Sequence, residues 1–147
     1  MILIVEDNED DSRLLIRQLA KLGLEEHVRL IADGREALDF LLQVSPPPYA
    51  VFLDLRLPGL SGIDLLREIR GEPRFYALPV IVMTSSIDPA DAEMCARLGV
   101  CAFSPKPLGL ELIRTIEACG DAHGTFLPRP IDPHLVDVAS SMLYDGT

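Results

Sequence analysis

The stretch Val51-Phe-Leu-Asp54-Leu-Arg-Leu-Pro58-Gly-Leu-Ser-Gly62 decides how the chain is read. A short apolar run ends in one aspartate, and a Pro/Gly-rich loop follows at once. In an open α/β sheet, ligands and chemistry gather beyond the carboxyl ends of the strands. A carboxylate placed there faces a crevice and is held by a rigid frame. Three roles are open to it: nucleophile, metal ligand or polar cap.

Upstream, Ile2-Leu-Ile-Val5 is a β-branched-rich run suited to a buried parallel strand. It ends in the acidic cluster Glu6-Asp7-Asn8-Glu9-Asp10-Asp11. A helical pattern follows, with Leu15, Leu19 and Leu22 on one face and Gly23 as its stop. Residues 27–32 predict a second strand. Asp33-Gly34 predicts the start of a helix carrying Leu38, Leu41 and Leu42, broken at Ser45-Pro-Pro-Pro48. Residues 50–53 predict the third strand.

Downstream, Ser61-Gly62 leads into a helix with Leu65, Leu66 and Ile69. Residues 79–83 predict a fourth strand, followed by Thr84-Ser85-Ser86. Asp88-Pro89 predicts a helix start, with proline at the first helical position and the helix running to Gly99. Residues 101–103 predict a short fifth strand, and 108–118 a fifth helix with Leu110, Ile113 and Ile116 inward. Strand and helix thus alternate five times, the pattern of an α/β fold with a doubly wound parallel sheet.

The chain is 147 residues long, enough for one domain with a full core. Its net charge is −10 and its basic residues are scattered, which argues against nucleic acid or an anionic membrane surface as a partner. Its apolar runs are far short of a membrane span. No basic segment followed by a long apolar one opens the chain, so a cytoplasmic rather than secreted protein is expected. No separate output domain is expected. Cys95, Cys101 and Cys119 are odd in number and lack C-x-x-C spacing, so they are expected to be reduced, mostly buried small hydrophobes.

Polar groups follow the predicted strand ends: Glu6 and Asp7 the first, Asp54 the third, Thr84 the fourth and Lys106 the fifth. Taken singly, each has a plainer explanation. Glu6 and Asp7 suit a helix N-terminus, Asp54 a turn before Pro58, Thr84 a cap or turn, and Lys106 a solvated loop between two prolines. Together, at one edge of a sheet, they are poorly explained in that way. Three carboxylates in a crevice repel unless a cation intervenes, and a hard divalent ion such as Mg²⁺ would relieve them. With an ammonium and a hydroxyl added, the set suits phosphoryl transfer through an aspartyl phosphate.

These residues resemble the receiver domain of two-component response regulators. The match covers residues 1 to about 119. Ile-Leu-Ile-Val-Glu6-Asp7 resembles the family's acidic pair, and Asp54-Leu-Arg-Leu-Pro58-Gly-Leu-Ser-Gly62 its phosphoacceptor loop. Val-Ile-Val-Met-Thr84-Ser85 resembles the strand with the switch threonine, and Leu98-Gly99 through Phe103 and Lys106-Pro107 the last strand, switch aromatic and lysine.

The resemblance implies a flavodoxin-like (βα)5 fold with strand order 2-1-3-4-5. It implies a receiver domain at 1–119, followed by a C-terminal extension at 120–147. Asp54 would accept a phosphoryl group from a phosphohistidine of a sensor histidine kinase. Asp7 would bind Mg²⁺ directly and Glu6 through a water, with the carbonyl of Arg56 and Asp54 as further ligands. Thr84 and Lys106 would hold phosphate oxygens. Phe103 would move inward with Thr84 and alter the surface nearby. The Lys106–Pro107 peptide would be cis. The expected protein is a single-domain regulator, not an enzyme in the turnover sense, that switches an interaction surface or relays phosphate. The loops look most like stand-alone receivers, some of which serve phytochrome-like or hybrid kinases.

Five positions depart from the family's commonest pattern. Glu6 stands where Asp is usual, Phe103 lacks the hydroxyl of Tyr, Pro105 precedes Lys106, and Arg56 and Ser86 flank the site. Two rivals are a haloacid-dehalogenase-type phosphatase and a pseudo-receiver kept as a binding module. The phosphatase would need an Asp where Arg56 stands, and the pseudo-receiver leaves the filled polar positions unexplained. Residues 120–132 are Gly/Pro-rich and read as a linker or loop. Beyond them Leu135, Val138 and Met142 recur at helical spacing. The tail is either a loosely docked end or an amphipathic helix that supports a homodimer.

Overall fold

The computed structural model describes residues 1–85, 88–106 and Cys119. Five strands, β1 (Ile2–Val5), β2 (Val28–Ile31), β3 (Ala50–Asp54), β4 (Val80–Thr84) and β5 (Ala102–Pro105), form one sheet. All neighbours are parallel, in the order β2-β1-β3-β4-β5. This is the doubly wound α/β arrangement expected from the sequence. Between the strands lie α1 (Glu9–Lys21), α2 (Gly34–Gln43), α3 (Gly62–Gly71) and α4 (Pro89–Arg97).

Side chains alternate across each strand, and both faces are apolar, as a covered parallel sheet requires. Ile2, Ile4, Ala50, Phe52, Ile81 and Met83 pack on one face against Leu15 and Leu19 of α1. Leu3, Val5, Val51, Leu53, Val80 and Val82 pack on the other, with Leu38 and Leu41 of α2 and Leu65, Leu66 and Ile69 of α3. Leu42, grouped with Leu38 and Leu41 in the sequence, is exposed instead, because Ala37, Leu38 and Leu41 fill the buried stripe of α2.

Each of α1 to α4 starts on a side-chain cap. Asn8 Oδ1 accepts the Asp11 N–H, Asp33 that of Glu36, Ser61 that of Asp64 and Asp88 that of Ala90. α1 ends as expected at Gly23, whose φ of 74° suits the left-handed turn beyond a helix. The strand bounds shift slightly. Asp54 and Thr84 are the last residues of β3 and β4 rather than the first beyond them, because the ladder continues through the pairs Asp54–Met83 and Thr84–Pro105. His27 leaves β2 for a short 3₁₀ turn, and α4 ends at Arg97 rather than Gly99.

The reduced-cysteine expectation is corrected. Cys101 and Cys119 form a disulfide, their Cα atoms 5.6 Å apart, while Cys95 is free and buried. The fold brings together two residues 18 positions apart, a proximity that local spacing does not reveal. The expected fifth helix at 108–118, the tail at 120–147, Ser86 and the Lys106–Pro107 peptide lie outside the described residues. Among the described residues, the one cis peptide is Ser45–Pro46. No helix among them is long and apolar enough to cross a membrane.

Candidate functional site

Val5 pairs with Leu53, so the next residues, Glu6 and Asp54, stand level at the carboxyl edge of β1 and β3. Both are buried, at 2% and 5% exposure, whereas Asp7 is exposed. One carboxylate oxygen from each of Glu6, Asp7 and Asp54 lies within 4.8 Å of the others. Three carboxylates this close would hold one divalent ion, directly or through its waters, and the ion would relieve their repulsion. The donors are all hard oxygens, which fits Mg²⁺ or Mn²⁺ and disfavours softer metals.

Lys106, just beyond β5, reaches into this cluster. Its ammonium donates to Glu6 Oε2, to Asp11 Oδ2 at 3.0 Å and to Asp54 Oδ2 at 3.2 Å. Its side chain is only 10% exposed, so the solvated-loop explanation of this lysine fails. Its backbone N–H donates to the Thr84 carbonyl at 2.7 Å, which ties the ends of β4 and β5. Thr84 is buried at the end of β4. The helix-cap explanation does not apply to it, since Asp88 caps α4.

One ammonium thus faces three carboxylates. Burial acts to lower the Lys106 pKa, but hydrogen bonds to Glu6 and Asp11 and the charges of Asp54 and Glu6 outweigh it and hold it above its ordinary value. Glu6 fares differently. Burial, opposed by hydrogen bonds from Lys106 and the Asn8 N–H and reinforced by Asp54, pushes its carboxyl up to about 7. Lys106 stays charged, and Glu6, the most deeply buried of the three carboxylates, keeps its proton to a higher pH than an ordinary glutamate.

The loop after β3 is held tightly. Asp54 Oδ1 accepts the Arg56 N–H at 3.2 Å, so the turn-forming reading of this aspartate holds alongside the site reading. Gly62 N–H donates to the Leu55 carbonyl at 2.9 Å, and a Cβ on Gly62 would meet the Asp54 carbonyl and lie 2.5 Å from Leu55 Cα. Gly59 has a φ of +78°, and a Cβ there would lie 2.5 Å from the Asp33 carboxylate. These glycines let the loop fold back closely enough to aim Asp54 at Lys106.

The acidic run is now sorted. Asn8, not Glu6 or Asp7, caps α1, and Glu6 Oε1 accepts the Asn8 N–H at 3.0 Å. Asp11 was given no separate role in the sequence, yet it is one of three partners of Lys106. Its signal was weak, because an acid in a first helical turn is ordinary. Phe103 of β5 is half-buried against the core cluster that contains Val82, its pairing partner. The structure therefore gathers Glu6, Asp7, Asp54 and Lys106 directly and Thr84 through the backbone. It places Phe103 in β5, three positions before Lys106.

A cavity of about 20 Å³ has Lys106 in its wall. Glu6, Asp11, Gln18, Met83 and Lys106 are among the residues that line it. Gln18 is 5% exposed, and its Oε1 has no hydrogen-bond partner.

Arg70 is a second cation that sequence reasoning passed over. Its guanidinium donates to the carbonyls of Leu98, Phe75, Leu78 and Gly99 at 2.8–3.1 Å. It joins the end of α3 to the segment leading into β5. Burial lowers its pKa.

A family model described as the response regulator receiver domain matches residues 2–117. The probable methanogenesis regulatory protein FilR2 of Methanothrix harundinacea is 36% identical over 122 residues, spanning 80% of this chain and 79% of that protein. Response regulator Rcp1 of Synechocystis sp. is 34% identical over 116 residues, spanning 76% of this chain and 79% of that protein. The Mn²⁺-bound structure of Rcp1 aligns with a TM-score of 0.68 and 30% identity, covering 89% of this chain and 97% of that one. The structure of the bacteriophytochrome response regulator AtBRR aligns with a TM-score of 0.71 and 35% identity, covering 81% and 91%.

Proposed function

The chain belongs to the response regulator receiver domain family, and from that premise we propose that it is a single-domain regulator phosphorylated on Asp54. The observation that carries this reading is the convergence of the Lys106 ammonium on Glu6 and Asp54 beside exposed Asp7. Asp54 sits at the carboxyl edge of a parallel sheet, where a partner's phosphoryl group can reach it.

In the proposed reaction an Asp54 carboxylate oxygen attacks the phosphorus of a phosphohistidine. The P–N bond breaks, its electron pair stays on the imidazole, and an acyl phosphate forms. The Lys106 ammonium and the Thr84 hydroxyl are proposed to hold the phosphate oxygens, which carry the added charge. Glu6, Asp7, Asp54 and the Arg56 carbonyl are proposed to hold Mg²⁺, which when bound neutralises charge on the carboxylates and phosphate oxygens. Phe103, in the strand that leads to Lys106, is proposed to report the change to the surface around α4 and β5. Receiver domains are signalling phosphoacceptors, so the protein is read as a switch rather than a turnover enzyme.

The phosphoryl donor is proposed to be a cytoplasmic sensor histidine kinase, phytochrome-linked or hybrid. The similarity to a bacteriophytochrome response regulator supports the former. Residues 1–119 are proposed as the receiver, with 120–147 as an extension that supports a homodimer. Neither nucleic acid nor membrane is proposed as a partner, in keeping with the net charge of −10.

The test is labelling by a small phosphodonor such as acetyl phosphate in Mg²⁺, followed by intact mass. The wild-type protein is expected to gain one phosphoryl group and Asp54→Asn none. Equal labelling of the two would refute the assignment.

A further inference from the structure

A divalent cation and the Lys106 ammonium would compete for the same carboxylates. Two of the three carboxylates that would hold a divalent cation, Glu6 and Asp54, are hydrogen-bonded to the Lys106 ammonium. A divalent ion seated among them would repel an ammonium so close by. Asp11 is the one partner of Lys106 outside the three-carboxylate set. The ammonium can therefore keep Asp11 and give up the other two, provided something else accepts its freed donors.

We propose that the Oε1 of Gln18 is that acceptor, which makes Gln18 a positioning residue that governs metal affinity through Lys106. Four observations meet here. Gln18 is 95% buried and its Oε1 is unpartnered, a costly state for a side chain in a core. It lines the same cavity as Lys106, Glu6 and Asp11. That cavity, at about 20 Å³, has room for one group the size of a water or an ammonium. Gln18 lies seven residues after Asp11 on α1, so the two share a helix face, and long helical side chains lean towards the N-terminus, here towards Asp11. In the metal-free state Lys106 stands in for the cation. When the metal takes Glu6 and Asp54, Lys106 pivots on Asp11 and its ammonium enters the cavity.

This inference rests on the proposed metal site, and the test separates the two. Mg²⁺ affinity is measured by calorimetry for the wild type, Gln18→Leu, Lys106→Met and the double variant. Leucine is apolar and of similar size, so folding is expected to persist, and Gln18→Met gives a second variant if it does not. Gln18→Leu is expected to weaken Mg²⁺ binding about tenfold, the worth of one hydrogen bond to a charged donor. Lys106→Met is expected to tighten binding, and Gln18→Leu to have no effect in that background. If Gln18→Leu leaves the wild-type affinity within about twofold, or weakens both backgrounds equally, the cavity serves a bound water or local packing and the inference falls. A wild-type protein that binds no Mg²⁺ overturns the metal site as well.

Discussion

The Glu6 carboxyl makes a pH test of the site possible. Its pKa is raised from the usual 4.5 to about 7, mainly by burial. A carboxyl raised in the folded state binds a proton that the unfolded chain releases. Its contribution to stability is therefore fully present below 4.5 and lost as pH rises through about 7. The loss is at most about 3 kcal/mol. A divalent cation works in the opposite direction, because it needs Glu6 ionised. At pH near 6 only about a tenth of the metal-free protein carries ionised Glu6, and near 8 about nine-tenths. Mg²⁺ is expected to bind about tenfold more weakly at the lower pH, with about 0.9 proton released per ion there and about 0.1 at the higher pH. Titration calorimetry in two buffers of different ionisation enthalpy measures both quantities. Glu6→Gln is expected to flatten the pH dependence, which assigns it to this carboxyl. Equal affinities at the two pH values, with no proton released at either, would refute the linkage between Glu6 and the metal.

Lys106→Met is expected to destabilise the metal-free protein by about 3 kcal/mol, because Glu6, Asp11 and Asp54 lose their shared cation. Mg²⁺ should recover most of that loss, as read from urea midpoints with and without the ion; an unchanged midpoint counts against the cluster. Gly62→Ala is expected to cost about 3 kcal/mol and to slow phosphorylation, because its Cβ meets the backbone of Asp54 and Leu55. Loss of phosphorylation with full stability would contradict that cause. Denatured under non-reducing conditions, the protein should present one alkylatable thiol, Cys95, and three after reduction. Three in both cases would rule out the Cys101–Cys119 bond.

β1, β3 and β4 were legible because each is a short apolar run that ends in a polar residue, which is what a strand buried on both faces looks like. The helices were legible through their first residues: Ser61, Asp88 and Asp33 stand where caps are needed. β2 and β5 were harder. They lie at the sheet edges, and Arg29 and Leu30 of β2 are exposed, which weakens the apolar signal. In the site, Asp54, Glu6 and Lys106 were legible from their places after strands. Asp11 was not, since it follows no strand and an acid in a first helical turn is ordinary. Gln18 did leave a trace. It sits on the stripe of Leu15, Leu19 and Leu22, a polar residue on an apolar face, although the sequence reading assigned it no role. The disulfide and the four carbonyls under Arg70 left none, because both depend on where separate loops come to rest.

Glu6 and Lys106 are 100 positions apart, and Asp54 lies about midway between them. Parallel pairing brings them together only after the chain has crossed the sheet repeatedly, and such long-range contacts form late. A nascent or partly unfolded copy holds Asp54 without an ammonium beside it and without aligned acids. The ion pairs of Lys106 with Glu6 and Asp54 therefore exist only in a chain folded through β5.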